Sequence, residues 1–233
     1  MLRLSDLHAH YGRAHILQGV SLHVRPGEVH VLLGRNGAGK STTMKAIMGL
    51  VPPTSGGVEF LGQPIAGLEP FEVARRGLGY VPEERRVFAE LTVAENLEVG
   101  RQKPREGLAP WSVERICGVF PSLAAMLKRP GGRMSGGEQQ MLTIGRTLMG
   151  NPRLVLLDEP SEGLAPVIVD RMADAVRALR AEGMSILLSE QNWHFASRVG
   201  DAASIIEKGA IVWRGSMAEL LADEAARGRY LTV

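Results

Sequence analysis

The chain has 233 residues with 27 basic and 25 acidic side chains, a formal net charge of +2, 45% apolar residues and 22% charged ones. That balance describes a folded domain able to bury a large core without a disulfide or metal staple; it argues against bulk disorder and gives no support for nucleic acid as the main partner. The single cysteine, Cys117, excludes an intrachain disulfide, suits a reducing compartment and reads as a small buried hydrophobe. No apolar run approaches the ~20 residues that span a bilayer, and the opening MLRLSDLHAH lacks a secretion signal's apolar core. Any membrane role is expected to run through a partner chain.

The first thirty residues alternate apolar and polar side chains, with Leu2, Leu4 and Leu7 followed by Ile16, Val20, Leu22 and Val24, which predicts short strands. A turn at Arg25-Pro26-Gly27-Glu28 precedes the apolar run Val29–Leu33, and after Lys40 the spacing of Met44, Ile47 and Met48 becomes helical. Basic clusters at Arg75-Arg76, Arg85-Arg86 and 101–105 read as solvated faces. From 92 to 150 the pattern is helical with proline and glycine interruptions, and strand-like runs return at 154–157, 186–188, 204–206 and 211–213 around a helical stretch at 167–179. The expected fold class is therefore α/β, with a helical lobe inserted into the core. His8, His10 and His15 lack a carboxylate or cysteine cluster and read as a polar strand face.

Two segments carry chemistry. Gly34-Arg35-Asn36-Gly37-Ala38-Gly39-Lys40-Ser41 fits G-x-x-x-x-G-K-[ST] between a predicted strand and a predicted helix, the context that makes this pattern a phosphate loop. Its glycines let backbone N–H groups face phosphates, Lys40 is placed for the β- and γ-phosphates, and the Ser41 hydroxyl for magnesium. Downstream, the apolar run 154–157 ends in Asp158-Glu159. Carboxylates at the end of a buried strand need compensation by a cation or by chemistry. Asp158 fits as the magnesium-side acid and Glu159 as general base toward water, adjacent strand positions pointing to opposite faces. ATP and Mg2+ are the expected cofactors.

Met134-Ser135-Gly136-Gly137-Glu138-Gln139 resembles the signature motif of ATP-binding cassette (ABC) ATPases. Ser135 suits a helix N-cap, and Gly136 and Gly137 leave N–H groups at the positive helix end. The resemblance extends along the chain in family order. It implies that Tyr11 stacks on adenine, that Gly34, Asn36, Gly37, Ala38, Gly39, Lys40, Ser41 and Thr42 hold the phosphates, and that Ser135, Gly136, Gly137 and Glu138 cap a nucleotide held by a second subunit. Ser161-Glu162-Gly163-Leu164 corresponds to the interface D-loop, with Glu162 where leucine is usual. Glu83 stands in the Q-loop in place of glutamine as a further magnesium-side candidate, and Gln191 stands where the family has a switch histidine, able to donate a hydrogen bond but not to carry a proton.

With Tyr80-Val81-Pro82-Glu83, Arg85-Arg86-Val87-Phe88 and the ending Glu219-Leu220-Leu221-Ala222-Asp223, the chain is most similar to the short ATPase subunit of branched-chain amino acid importers. The resemblance implies an ABC cassette with an antiparallel β subdomain and one ATPase domain over 1–233, its core formed by 1–88 and 151–233 and its helical signature subdomain by 89–150. It also implies a homo- or heterodimer with a second ATPase subunit and docking to a transmembrane permease near Glu83 and Phe88. A periplasmic or extracellular binding protein is then an indirect partner, nucleic acid is none, and the location is the cytoplasmic face of the membrane. The alternatives are a soluble cassette acting on nucleic acid or ribosomes, and the ATPase of a lipid or other-substrate transporter.

Overall fold

The computed structural model describes residues 1–230; residues 231–233, the end of the expected domain, lie outside the described residues. Among the described residues the strands form two sheets. The first is antiparallel, in the order β2 (Ala14–Val24), β1 (Leu2–Tyr11), β4 (Ser55–Phe60), β5 (Gln63–Pro64). The second runs β10 (Ala210–Ser216), β9 (Ala202–Glu207), β3 (Val29–Leu33), β8 (Ser185–Glu190), β7 (Leu154–Asp158), β6 (Leu78–Val81), parallel except for the terminal β10.

Strand periodicity sorts the core into two layers, because successive side chains leave opposite faces of a sheet. Leu32, Leu78, Leu154, Leu156 and Leu187 point toward the antiparallel sheet and α1 (Lys40–Ile47), where they join Leu2, Leu17, Met44 and Phe60. Val31, Leu33, Val155, Leu157, Ile186 and Leu188 point the other way, toward α7 (Pro166–Ala181) and α8 (Trp193–Val199). β3 and β7 are buried on both faces, which is why they read in sequence as continuous apolar runs.

The segment 89–150 carries α3 (Val93–Val99), α4 (Val113–Val119), α5 (Pro121–Ala124) and α6 (Gly136–Leu148). These helices do not make a separate core: Leu97, Ile116, Phe120 and Ile144 belong to the same buried cluster as Val81, Val155 and Val176. A Cβ at Gly145 would lie 2.9 Å from Ile116 and 3.1 Å from Leu97, so glycine lets α6 approach α3 and α4.

The sequence pattern assigns no element to 55–76, and two environments differ from expectation. The stretch 55–76 holds β4, β5 and α2 (Pro70–Arg76), a strand pattern interrupted by Gly56 and Gly57 and fixed by pairing with β1. Arg105 is not a solvated charge: it donates to the carbonyls of Ala74 and Arg75, acceptors that the end of α2 leaves open, and to that of Asn151. Cys117 is only partly buried.

Asn96 is fully buried, and it ties α3 to the preceding loop. Its Oδ1 accepts from Phe88 N at 2.9 Å, and its Nδ2 faces the carbonyls of Phe88, Leu91 and Thr92 at 2.9 to 3.0 Å. Asn96→Ala is expected to cost ~2–4 kcal/mol, since it orphans buried backbone groups and leaves a small void; denaturant unfolding of the variant beside the wild type measures it.

Candidate functional site

The phosphate loop leaves β3 at Gly34 and enters α1 at Lys40. A Cβ on Gly34 would stand 2.6 Å from the Ile206 carbonyl oxygen, and Gly39 caps α1 at φ 113°, so side chains are excluded for two different reasons. No side chain caps the start of α1, which leaves its first-turn N–H groups for an anion. Lys40 is buried, donates to the carbonyls of Gly34 (2.6 Å) and Arg35 (3.0 Å), and lies 3.1 Å from Glu159 Oε1.

A cavity of about 240 Å³ above the loop is walled by Tyr11, Gly37, Gly39, Lys40, Ser41, Thr42 and Glu159. Ala38 is buried beneath it, Asn36 is exposed, and the Tyr11 ring, 48% exposed, stands at the cavity edge. The loop, the acidic pair and the aromatic residue named from sequence therefore meet in one place.

Asp158 closes β7 level with Ser189 on β8. Its Oδ1 accepts from Ser189 Oγ (2.6 Å) and Ser41 Oγ (3.0 Å), and its Oδ2 from the Tyr80 hydroxyl (3.1 Å). Burial, reinforced by the negative charge of Asp158, pushes the Tyr80 phenol well above its ordinary range and keeps it a donor. Two hard oxygens, Ser41 Oγ and Asp158 Oδ1, held 3.0 Å apart beside the loop fit a magnesium ion that takes its other ligands from water and phosphate.

The expected strand alternation between Asp158 and Glu159 is replaced by a turn. β7 ends at Asp158, and Glu159 adopts a left-handed backbone at φ 46°. That conformation is held by Ser189, whose carbonyl and hydroxyl oxygens both accept the Glu159 N–H at 3.1 Å. Glu159 is thereby turned toward Lys40 while Asp158 stays beside Ser41.

A second cavity of about 400 Å³ adjoins the first and is lined by Asn36, Glu159, Ser161, Glu162, Glu190 and Gln191, among others. A hydrogen bond with Glu159, followed by burial and the charges of Glu159, Glu83 and Glu190, raises the Glu162 carboxyl to about 7. Glu83 is exposed; burial and then the charges of Glu159 and Asp158 raise it as well. Glu190 is buried with its carboxylate on two backbone N–H groups, Ser161 and Asn192, each at 3.1 Å. Burial nevertheless pushes Glu190 up to about 7, over the opposing hydrogen bonds from Ser161 and Asn192 and with the Glu159 charge adding to the rise.

Ser135 caps α6 and forms a reciprocal box with Glu138: Glu138 N reaches Ser135 Oγ at 3.4 Å, and Ser135 N reaches Glu138 Oε2 at 2.8 Å. Ser135 is exposed, Gly136 and Glu138 are partly buried, Gly137 is buried, and none of the four walls either cavity. Among the described residues His8, His10 and His15 stack on one another, with no arrangement of three metal-binding side chains there or elsewhere.

Sequence reasoning passed over Ser189, Tyr80 and Glu190 as working parts of the site. Ser189 and Glu190 close an apolar strand as Asp158 does, and that shared pattern was the available signal.

The family model described as ABC transporter matches residues 17–162. The high-affinity branched-chain amino acid transport ATP-binding protein BraG of Pseudomonas aeruginosa is 40% identical over 231 residues, 99% of each chain. The lipopolysaccharide export system ATP-binding protein LptB of Acidithiobacillus ferridurans is 34% identical over 232 residues, 99% of this chain and 96% of that one. Among solved structures, the ADP conformation of an ATP-binding cassette of an ABC transporter superposes with a TM-score of 0.82 at 28% identity, covering 97% of this chain and 96% of that one.

The folded value of Glu190, about 7, lies above the ordinary 4.5, so the folded chain holds that proton more tightly than the unfolded one. The cost of ionising it is absent below about pH 4.5, grows across the window and is complete above about 7. Stability without nucleotide is expected to fall as pH rises from 5 to 8; Glu159, Glu162 and Arg35 are the charged groups lining the same cavity. Glu190→Gln should flatten that decline in unfolding curves taken across the same range.

Proposed function

The chain belongs to the ABC transporter family as an ATP-hydrolysing, ATP-binding subunit, and from that membership we propose that it powers an importer of branched-chain or related hydrophobic amino acids. The observation that carries the chemistry is the convergence of Lys40, Ser41, Asp158 and Glu159 within hydrogen-bonding distance at the mouth of the phosphate loop. Likeness along nearly the whole chain to BraG supports the cargo.

In this reading Tyr11 stacks on adenine, and the N–H groups of Gly37, Gly39, Lys40 and Ser41 receive the β- and γ-phosphates. Ser41 and Asp158 would hold magnesium, with Glu83 reaching it through water; the ion supplies charge neutralisation on the phosphates when bound. A triphosphate offers Lys40 new acceptors, which frees Glu159 from its ion pair to take a proton from the attacking water. Gln191, beside Glu159 in the second cavity, donates a hydrogen bond toward the γ-phosphate. The start of α6 at Ser135, Gly136, Gly137 and Glu138 caps the nucleotide of a second subunit, so hydrolysis requires a pair of cassettes.

A groove of about 880 Å³ between the α/β core and the helical segment, walled by Phe71, Tyr80, Phe88, Val99 and Arg146, is the docking place for a permease helix. Phe71, Phe88 and Val99 are 57%, 47% and 54% exposed, an apolar set that suits an amphipathic partner. Among the described residues no helix is long and apolar enough to cross a membrane, and in this reading the permease contact is what holds the chain at the membrane.

Glu159→Gln should still bind ATP, lose turnover by ~10²–10⁴-fold and accumulate as a closed dimer with ATP; wild-type turnover would remove Glu159 from the role of base. Phe88→Glu should leave the isolated ATPase unchanged while abolishing co-purification with a co-expressed importer permease. RNA or DNA retained at high salt in place of a permease would favour the nucleic-acid reading.

A further inference from the structure

Glu190 holds a place that the reading above does not use. Its backbone carbonyl accepts from Gly34 N at 3.2 Å, the first residue of the phosphate loop. Its side-chain Oε1 accepts from Ser161 N and its Oε2 from Asn192 N, both at 3.1 Å. One residue, 2% exposed, thus joins three loops: the phosphate loop, the loop that follows the acidic pair, and the loop that begins with Gln191.

The charges of its neighbours Glu159 and Glu162 are of like sign. A buried acid beside like charges is costly, and a neutral residue would be easier to accommodate. What only a carboxylate supplies here is two acceptors for two N–H groups that approach from different loops. An amide in the same place accepts one and turns a donor toward the other.

We infer that Glu190 is a positioning residue for ATP hydrolysis: its carboxylate clamps the Ser161 loop to the Gln191 loop, so that the group facing the γ-phosphate and the loop facing the second subunit move as one body. This inference rests on the proposed ATPase reading and adds a coupling within it. Glu190 need not touch nucleotide. Its effect belongs to the turnover step, when Gln191 and the partner cassette must be in place together.

The test uses the full chain as wild type, Glu190→Gln and Glu190→Asp, with magnesium-dependent ATP hydrolysis and single-amide hydrogen exchange as readouts. Glu190→Gln should lower kcat by about tenfold or more with KM for ATP within twofold, and whichever of the Ser161 and Asn192 amides is left facing the new donor should exchange faster. Glu190→Asp keeps both acceptors one methylene short and should recover part of the rate. Wild-type kcat in Glu190→Gln, a rise in KM at constant kcat, or unchanged exchange at both amides overturns the clamp. If Glu190→Gln does not fold, Glu190→Asp carries both readouts and should lie between wild type and loss; wild-type values there overturn the clamp. If the wild type hydrolyses no ATP, the functional reading falls and exchange alone decides, unchanged protection of Ser161 and Asn192 being the overturning result.

Discussion

The parallel register of β3, β8 and β7 is the constraint from which the site follows. Leu33 lies opposite Glu190, and Ser189 lies opposite Asp158, so three strands end at the same level. Parallel strands buried on both faces have no freedom to slip by one residue, because a slip would turn every core side chain outward. The burial of Val31, Val155 and Leu188 on one face and of Leu32, Leu156 and Leu187 on the other therefore fixes where the phosphate loop, the acidic pair and the Gln191 loop emerge. Ligands at the carboxyl ends of such strands are the general outcome of this geometry.

That level edge concentrates negative charge. Asp158, Glu159, Glu162 and Glu190 gather there, and Lys40 makes a salt bridge with Glu159. Such an arrangement is expensive on its own and becomes favourable with the counter-charges and phosphates of magnesium-ATP. Its tolerance in the folded chain follows from hydrogen bonding: Ser189, Tyr80 and Ser41 supply donors to Asp158, while Ser161 and Asn192 supply them to Glu190. The hydroxyls and backbone N–H groups do locally what solvent would otherwise do.

Much of this was legible in the residues themselves. The phosphate loop, the strand before it and the helix after it follow from glycine spacing and a switch of apolar period, and β3 was bounded at Val29–Leu33 by pattern alone. The strand expected to carry both acids ends one residue early, at Asp158, because Ser189 holds Glu159 in a left-handed turn that local pattern does not show. The region 55–76 was harder: Gly56 and Gly57 weaken the strand signal, and β4 exists because β1 supplies its hydrogen bonds. Arg105 looked solvated because the carbonyls it serves, on Ala74, Arg75 and Asn151, are distant in sequence.

The sequence by itself determined the chemistry on offer: a lysine and a serine after a glycine loop, two acids after an apolar strand, a Ser-Gly-Gly helix start, and Gln191 and Glu83 at positions the family fills differently. Those are local statements, set by residue type and short-range spacing. Tertiary structure alone decided how they combine: that Glu159 turns left-handed onto Lys40, that Ser189 holds Asp158, and that Glu190 joins three loops. Each depends on which strand lies beside which and in what register, and pairing across more than a hundred residues leaves no mark in local pattern.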